Sequence, residues 1–167
     1  MFKGHTDGVL TVDFSPDSRF LLSTSLDKSV RIWCMRDGSC KRLLDTDMTY
    51  ITSAAMSLDS GRYIAAGDYY GVVSIWDFRT RHVVQKWKAG RKSQHLWSVQ
   101  FTLDGKGLLG GGKGGTLKYW DISSLLASQP GSTIGELVSG NIYEEMECLT
   151  LQGHTVRPPF ASFIFGL

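Results

Sequence analysis

The sequence predicts an all-β protein built from four-stranded antiparallel units, about three of them and the start of a fourth. Three observations carry this reading. The segments FLLSTSLDKSVRIWC (20–34), YIAAGDYYGVVSIWD (63–77) and GLLGGGKGGTLKYWD (107–121) share one pattern: a small or apolar run, a turn, an alternating run, then tryptophan. Trp33, Trp76 and Trp120 are spaced 43 and 44 residues apart. No convincing amphipathic helix interrupts the pattern, and the slight helical character of DISSLLASQ stops at Pro130-Gly131.

The strands of each unit follow in order. The first is VLTVDFSPDS, ITSAAMSLDSG or LWSVQFTLDG, and each ends in a polar hairpin turn carrying Asp17, Asp59 or Asp104. The small or apolar run is the second strand. In the third, SVRIW, VVSIW and TLKYW, side chains alternate between faces. HVVQKWK (82–88) reads as an outer fourth strand. It lies in Arg79–Lys92, a stretch with six Lys or Arg and no acid. Such a stretch can touch phosphate or an acidic tail; equally, lysines on an outer strand discourage edge-to-edge aggregation.

Composition limits the function classes. Across 167 residues, 42% are hydrophobic and 20% charged, as in folded soluble proteins. A net charge of +2 does not argue for nucleic acid. Cys34, Cys40 and Cys148 are scattered, which reads as reduced thiols of a cytosolic or nuclear protein. No apolar run approaches a membrane span, and MFKGHTDGVL is neither a secretory nor a transit leader.

Residues 107–115 match two phosphate-binding patterns. Gly107 to Lys113 spells G-x-x-x-x-G-K, and Gly110, Gly112 and Gly115 spell G-x-G-x-x-G. A P-loop needs Ser or Thr after the lysine, where Gly114 stands, and a helix next, where TLKYWD reads as a strand. The stretch is therefore read as a glycine-rich turn inside a repeat. His5, His82, His95, His154 and the cysteines show no paired-ligand spacing, so no metal and no cofactor are expected. There is no G-x-S-x-G elbow, and the acids Glu144, Glu145 and Glu147 read as a solvated charge run.

Taken together, Gly4-His5, Trp76-Asp77, Trp120-Asp121 and Gly153-His154 make the chain resemble a WD-repeat β-propeller. The resemblance implies an incomplete propeller over 1–156, with repeats at about 1–34, 44–77 and 88–121, a fourth starting at 148–156, an insert at 123–147 and a divergent tail at 157–167. Propellers have four to eight blades, so the chain reads as a fragment whose open blade edge needs a partner or can pair. By the same resemblance, a hydrogen-bonded tetrad of His5, Ser25, Asp27 and Trp33 ties the first blade together, while the blade tryptophans Trp76 and Trp120 lack the full set. GRYIAAGDYYGVVSIWD, LWSVQFTLDGKGLLGGGKGGTLKYWDI and the insert before LTLQGH more specifically resemble the carboxy-terminal propeller of fungal general transcriptional co-repressors, relatives of the Groucho-type co-repressors.

In such propellers the loop before the first strand and the turn before the third open on one face, where partners dock. Aligning the repeats on Phe14, Met56 and Phe101 puts Gly8, Tyr50 and His95 at one equivalent position and Leu10, Thr52 and Trp97 two residues on. Leu26, Tyr69 and Lys113 precede the tight turn. Tyr50, Tyr69, His95, Trp97, Leu26 and Lys113 are therefore the expected partner-binding face, although rings there can also fill the taper of a central channel. The resemblance implies a non-enzymatic nuclear scaffold that docks DNA-bound repressors or co-repressor subunits, with no direct nucleic-acid or membrane binding. Two alternatives stand beside it. One is a WD-repeat adaptor in ubiquitin-ligase substrate recognition, trafficking or RNA assembly; the other is a nucleotide-binding enzyme using Gly107–Gly115.

Overall fold

The computed structural model describes residues 1–44, 48, 50–89, 95–113, 115–123 and 148–152. Among them, strands build three four-stranded antiparallel sheets, the blades of an incomplete β-propeller. Blade 1 contains β1 (Val9–Phe14), β2 (Phe20–Ser25), β3 (Val30–Cys34) and β4 (Cys40–Leu44). Blade 2 contains β5 (Ile51–Met56), β6 (Tyr63–Asp68), β7 (Val72–Asp77) and β8 (Val83–Lys88). Blade 3 contains β9 (Leu96–Phe101), β10 (Gly107–Gly112), β11 (Thr116–Asp121) and β12 (Cys148–Gln152). Strands neighbour one another in chain order within each blade.

The same turn chemistry recurs in each blade. Between the first and second strands, the hydroxyls of Ser15, Ser57 and Thr102 accept the N–H groups of Phe20, Tyr63 and Gly107 at 2.9, 3.1 and 2.9 Å. Between the second and third strands, Lys28, Gly71 and Gly115 hold left-handed φ values of 68°, 80° and 67°. Glycine adopts this conformation without the steric cost that Lys28 bears.

Cys148–Gln152, where a fourth repeat is expected to start, pairs with β11 as the outer strand of blade 3. The 123–147 insert separates the two strands in sequence, whereas β11 requires a ladder partner on its second edge. The glycine stretch is also mostly strand rather than turn, since Gly107, Gly110, Gly111 and Gly112 lie in β10. Three of these four positions have no room for a side chain. A Cβ would stand 2.4 Å from the Tyr119 ring at Gly107, 2.6 Å from the Trp120 ring at Gly110 and 1.9 Å from the His95 carbonyl oxygen at Gly112. Strand β11 follows the glycines, so no helix N-terminus faces them to cradle a phosphate. The divergent tail, Gly153-His154 and residues 124–147 of the insert lie outside the described residues.

The core lies between blades. Leu22, Val30, Ile32 and Leu44 of blade 1 pack on Ala54, Met56, Ile64, Ala66 and Trp76 of blade 2. On blade 2's other face, Ala55, Ala65, Val73, Ile75 and Trp87 pack on Val99, Phe101, Leu108 and Trp120 of blade 3. Blade 2 is thus covered on both sides, and β6 and β7 are buried throughout. Polar groups fix the spacing of the inner strands. Asp13 accepts the Met56 N–H at 2.9 Å, Ser53 accepts the Val99 N–H at 3.2 Å, and Thr52 donates to the Leu96 carbonyl at 2.7 Å.

Candidate protein-interaction surface

The loop before β1 is clamped to the β2–β3 turn by a chain of side-chain hydrogen bonds. His5 Nδ1 meets Asp27 Oδ2 at 2.9 Å, and both side chains are 7% exposed. A carboxylate only accepts, so Nδ1 carries the proton and Nε2 is the acceptor. Nε2 takes the hydroxyl proton of Ser23 at 2.7 Å, and Ser23 Oγ accepts the Trp33 indole N–H at 2.8 Å. The polar atoms of His5, Ser23 and Trp33 in this relay therefore each have a partner. Burial works against the charge on Asp27. Hydrogen bonds from Ser29, His5 and the Thr6 amide outweigh it and hold the carboxyl well below the usual carboxylate range.

The serine of this tetrad is Ser23, not Ser25. Both lie on one face of β2, but Trp33 pairs across from Leu21, which makes Ser23 its diagonal neighbour and leaves Ser25 one pleat too far. Ser25 Oγ donates instead to the Asp7 carbonyl and accepts the Asp27 N–H, both at 3.1 Å.

The other two blades keep the tryptophan and change its surroundings. In blade 2, Ala66 stands at the Ser23 position, buried in one cluster with Met48 and Trp76. The Trp76 indole N–H finds no hydrogen-bond partner among the described residues. In blade 3, Gly110 occupies the Ser23 position and the Trp120 ring fills the space beside it. The Trp87 ring meets Trp120 edge-on, with centroids 5.7 Å apart. Packing thus holds Trp120 where side-chain hydrogen bonds hold Trp33. Beside the tryptophans, Asp77 of blade 2 is buried yet ionised readily. Burial opposes its charge, but the Thr80 amide, Arg62 at 2.9 Å and the Arg79 amide lower its pKa.

All three blades join the loop before the inner strand to the β2–β3-type turn by one equivalent backbone bond. Leu26 N–H donates to Gly8 O at 2.9 Å, Tyr69 to Tyr50 at 2.8 Å and Lys113 to His95 at 2.9 Å. In blade 2 this brings Tyr50, Tyr69 and Tyr70 into one group with centroids 5.6 to 6.4 Å apart. His95 of blade 3 stacks on Tyr69 at 3.8 Å and 23°, and its Nδ1–H donates to the Tyr69 carbonyl at 2.6 Å. The tyrosines remain 49%, 42% and 46% exposed. Their rings are fixed by contact with one another and still open to solvent.

Tyr70, which is not among the residues expected on this face, belongs to this group. Trp97 stands outside it, half-buried on β9. The registers of β1, β5 and β9 each skip one residue, at Leu10, Thr52 and Trp97. This shared bulge breaks the simple alternation that put Trp97 beside His95. Leu26 and Lys113 are exposed on the corresponding turns of blades 1 and 3. Among the described residues, no three His, Cys, Asp or Glu side chains are grouped to hold a metal ion.

Comparison with known proteins matches residues 1–34 and 84–121 to the WD domain, G-beta repeat. The chain is 25% identical over 126 residues to the COMPASS component SWD3 of Saccharomyces cerevisiae, covering 72% of this chain and 40% of that protein. It is 31% identical over 126 residues to pre-mRNA-processing factor 19 of Caenorhabditis elegans, covering 74% and 25%. It is 30% identical over 129 residues to the WD repeat-containing protein 3 homolog of Dictyostelium discoideum, covering 77% and 13%. The chain thus spans well under half the length of these relatives, and none of the three bears a co-repressor's name.

Proposed function

We propose that this chain, whose blades are WD40 repeats, is a non-enzymatic adaptor that binds partner proteins across the face bearing Tyr50, Tyr69, Tyr70 and His95. One observation carries the reading: four rings from two blades are locked together yet half-open to solvent. Rings that have already lost their freedom bind at low entropic cost, and Tyr is enriched among residues that dominate interface energies. The exposed Lys28 and Lys113 on neighbouring turns supply a polar rim.

Assembly work in the nucleus is the setting proposed. One relative is by name a component of an assembly and another a pre-mRNA-processing factor, which favours the general adaptor over the narrower reading of a co-repressor that docks DNA-bound repressors. For that narrower reading the support is the resemblance of residues 61–77 and 96–122. The nucleotide-binding alternative loses its footing because β10 and β11 form a hairpin around the glycines.

The test is capture of nuclear proteins by the immobilised chain and by its Tyr50→Ala, Tyr69→Ala and Tyr70→Ala variants. The variants are expected to lose the proteins that the parent retains, with unchanged urea midpoints. Equal retention by folded variants would rule out this face.

A further inference from the structure

Blades 1 and 2 turn from the third strand into the outer strand by the same backbone bonds. In blade 1, Gly38 N–H donates to the Cys34 carbonyl at 2.8 Å and Cys34 N–H to the Ser39 carbonyl at 2.9 Å. In blade 2, Arg81 donates to Asp77 at 2.8 Å and Asp77 to His82 at 3.1 Å. The tight position is left-handed in both, with φ 70° at Gly38 and 68° at Arg81. Glycine takes this conformation freely, whereas arginine is strained in it. Folding alone therefore favours glycine at position 81. A strained arginine at a surface turn calls for a reason outside the fold.

The charge of the two turns differs as well. In blade 1, Asp37 stands on the turn and pairs with Lys41 at 3.2 Å. In blade 2, Thr80 takes the Asp37 position and Val84 the Lys41 position. The acid that remains, Asp77, has a side chain only 7% exposed. Its carboxylate is occupied by Arg62 at 2.9 Å and by the Arg79 and Thr80 amides at 2.7 and 3.0 Å. Arg79, Arg81 and His82 are exposed, and among the described residues no acid pairs with them. Beside these cations Val83 and Val84 open β8, 45% and 37% exposed. The turn belongs to the middle blade, whose two faces are already packed on blades 1 and 3. It lies at the opposite end of β7 from Tyr69 and Tyr70.

We propose that this turn is a second docking site, which takes an extended acidic segment of a protein partner that also carries an apolar residue. The Arg79 and Arg81 guanidiniums meet its carboxylates, for which their planar forks are suited. Val83 and Val84 take the apolar side chain. The valines select a protein over a nucleic acid, because a phosphate backbone offers them nothing to bury. A net charge of +2 also gives little general attraction to such a backbone.

Fluorescence anisotropy with the 167-residue chain tests this. The probe is a labelled peptide in which Glu and Leu alternate. Its reference probes are the same peptide with Lys in place of Glu and a single-stranded RNA of equal length. The acidic peptide is expected to bind, and neither reference probe to match it. Arg81→Gly should weaken peptide binding by at least about 10-fold. The urea midpoint should stay level or rise, because glycine suits the left-handed turn. An arginine with a merely structural role would move binding and stability together. Tyr70→Ala, at the other end of β7, should leave peptide binding unchanged, so failure here is distinguishable from failure of the tyrosine face. No peptide binding, equal binding by Arg81→Gly, loss of binding on Tyr70→Ala, or a reference probe that binds as tightly would overturn the proposal.

Discussion

Replacing Ser23 by alanine removes one oxygen that serves two partners, and the size of the loss follows from their burial. Trp33 is 2% exposed, so its indole N–H, now 2.8 Å from Ser23 Oγ, would be left without water or protein. An orphaned buried donor costs about 1–3 kcal/mol. His5 Nε2 loses the hydroxyl 2.7 Å away, an ordinary hydrogen bond of about 0.5–1.5 kcal/mol. The sum is about 2–4 kcal/mol, a large share of the roughly 5–15 kcal/mol that keeps a domain folded. Ser25→Ala is the matched control. Ser25 lies on the same strand face, and its two 3.1 Å bonds engage loop backbone, which places its loss at about 1–3 kcal/mol, below that of Ser23. Urea unfolding followed by tryptophan fluorescence separates the two. With a slope of about 2 kcal/mol per molar, Ser23→Ala shifts the midpoint by about 1–2 M and Ser25→Ala by about 0.5–1.5 M. Equal shifts, or a larger one for Ser25→Ala, would refute the assignment of Ser23 to the tetrad.

Other outcomes follow from the same packing. Ala66→Ser puts a hydroxyl at the Ser23-equivalent position beside the unpartnered Trp76 indole and should raise stability by about 0.5–1.5 kcal/mol; a fall in the urea midpoint would contradict it. Gly110→Ala places a Cβ 2.6 Å from the Trp120 ring and should cost about 1–3 kcal/mol by overpacking. Gly111→Ala meets nothing within 4 Å and should be neutral or stabilising by up to about 1 kcal/mol, so calorimetry should order the two variants that way. Asp27 has a lowered folded-state pKa. Its contribution is therefore fully present above the unfolded value of about 3.9 and is lost as pH falls toward the folded value. The stability gap between the parent and Asp27→Asn should stay level from about pH 7 to 5 and shrink below about pH 4; a gap constant down to about pH 2 would exclude this linkage.

The repeat was legible because its signals are local. Tryptophans at fixed spacing, alternating third strands and hydroxyl-bearing turns each report a hairpin within a few residues. Position within the tetrad was harder. Ser23 and Ser25 share parity, and only the cross-strand register, set by pairing Leu21 with Trp33, chooses between them. The glycines of β10 were read as turn residues because glycine usually signals one. Here the signal is lack of space, and it comes from the Tyr119 and Trp120 rings and the His95 carbonyl, which sequence alone does not bring near. The pairing of β12 with β11 is not legible because a long stretch joins them in sequence. At the surface, aligning repeats located Tyr50, Tyr69 and His95 through their shared backbone bonds. The bulge at Leu10, Thr52 and Trp97 leaves no mark in composition, so the sequence does not show that Tyr70, rather than Trp97, packs with Tyr69. A sharper rule was available: the turn in blade 2 reads Asp-Tyr-Tyr-Gly, and both of its tyrosines precede a left-handed glycine that turns the chain back.

An adaptor of this design must meet proteins through its tyrosine face. A photo-crosslinking amino acid at Tyr70 and, as comparison, at Asp37 on the β3–β4 turn of blade 1 measures this in nuclear extract. A small set of discrete protein adducts is expected at Tyr70 that disappears with Tyr69→Ala, and none of that set at Asp37. The same adducts at both positions, or adducts at Tyr70 that survive Tyr69→Ala, would contradict it.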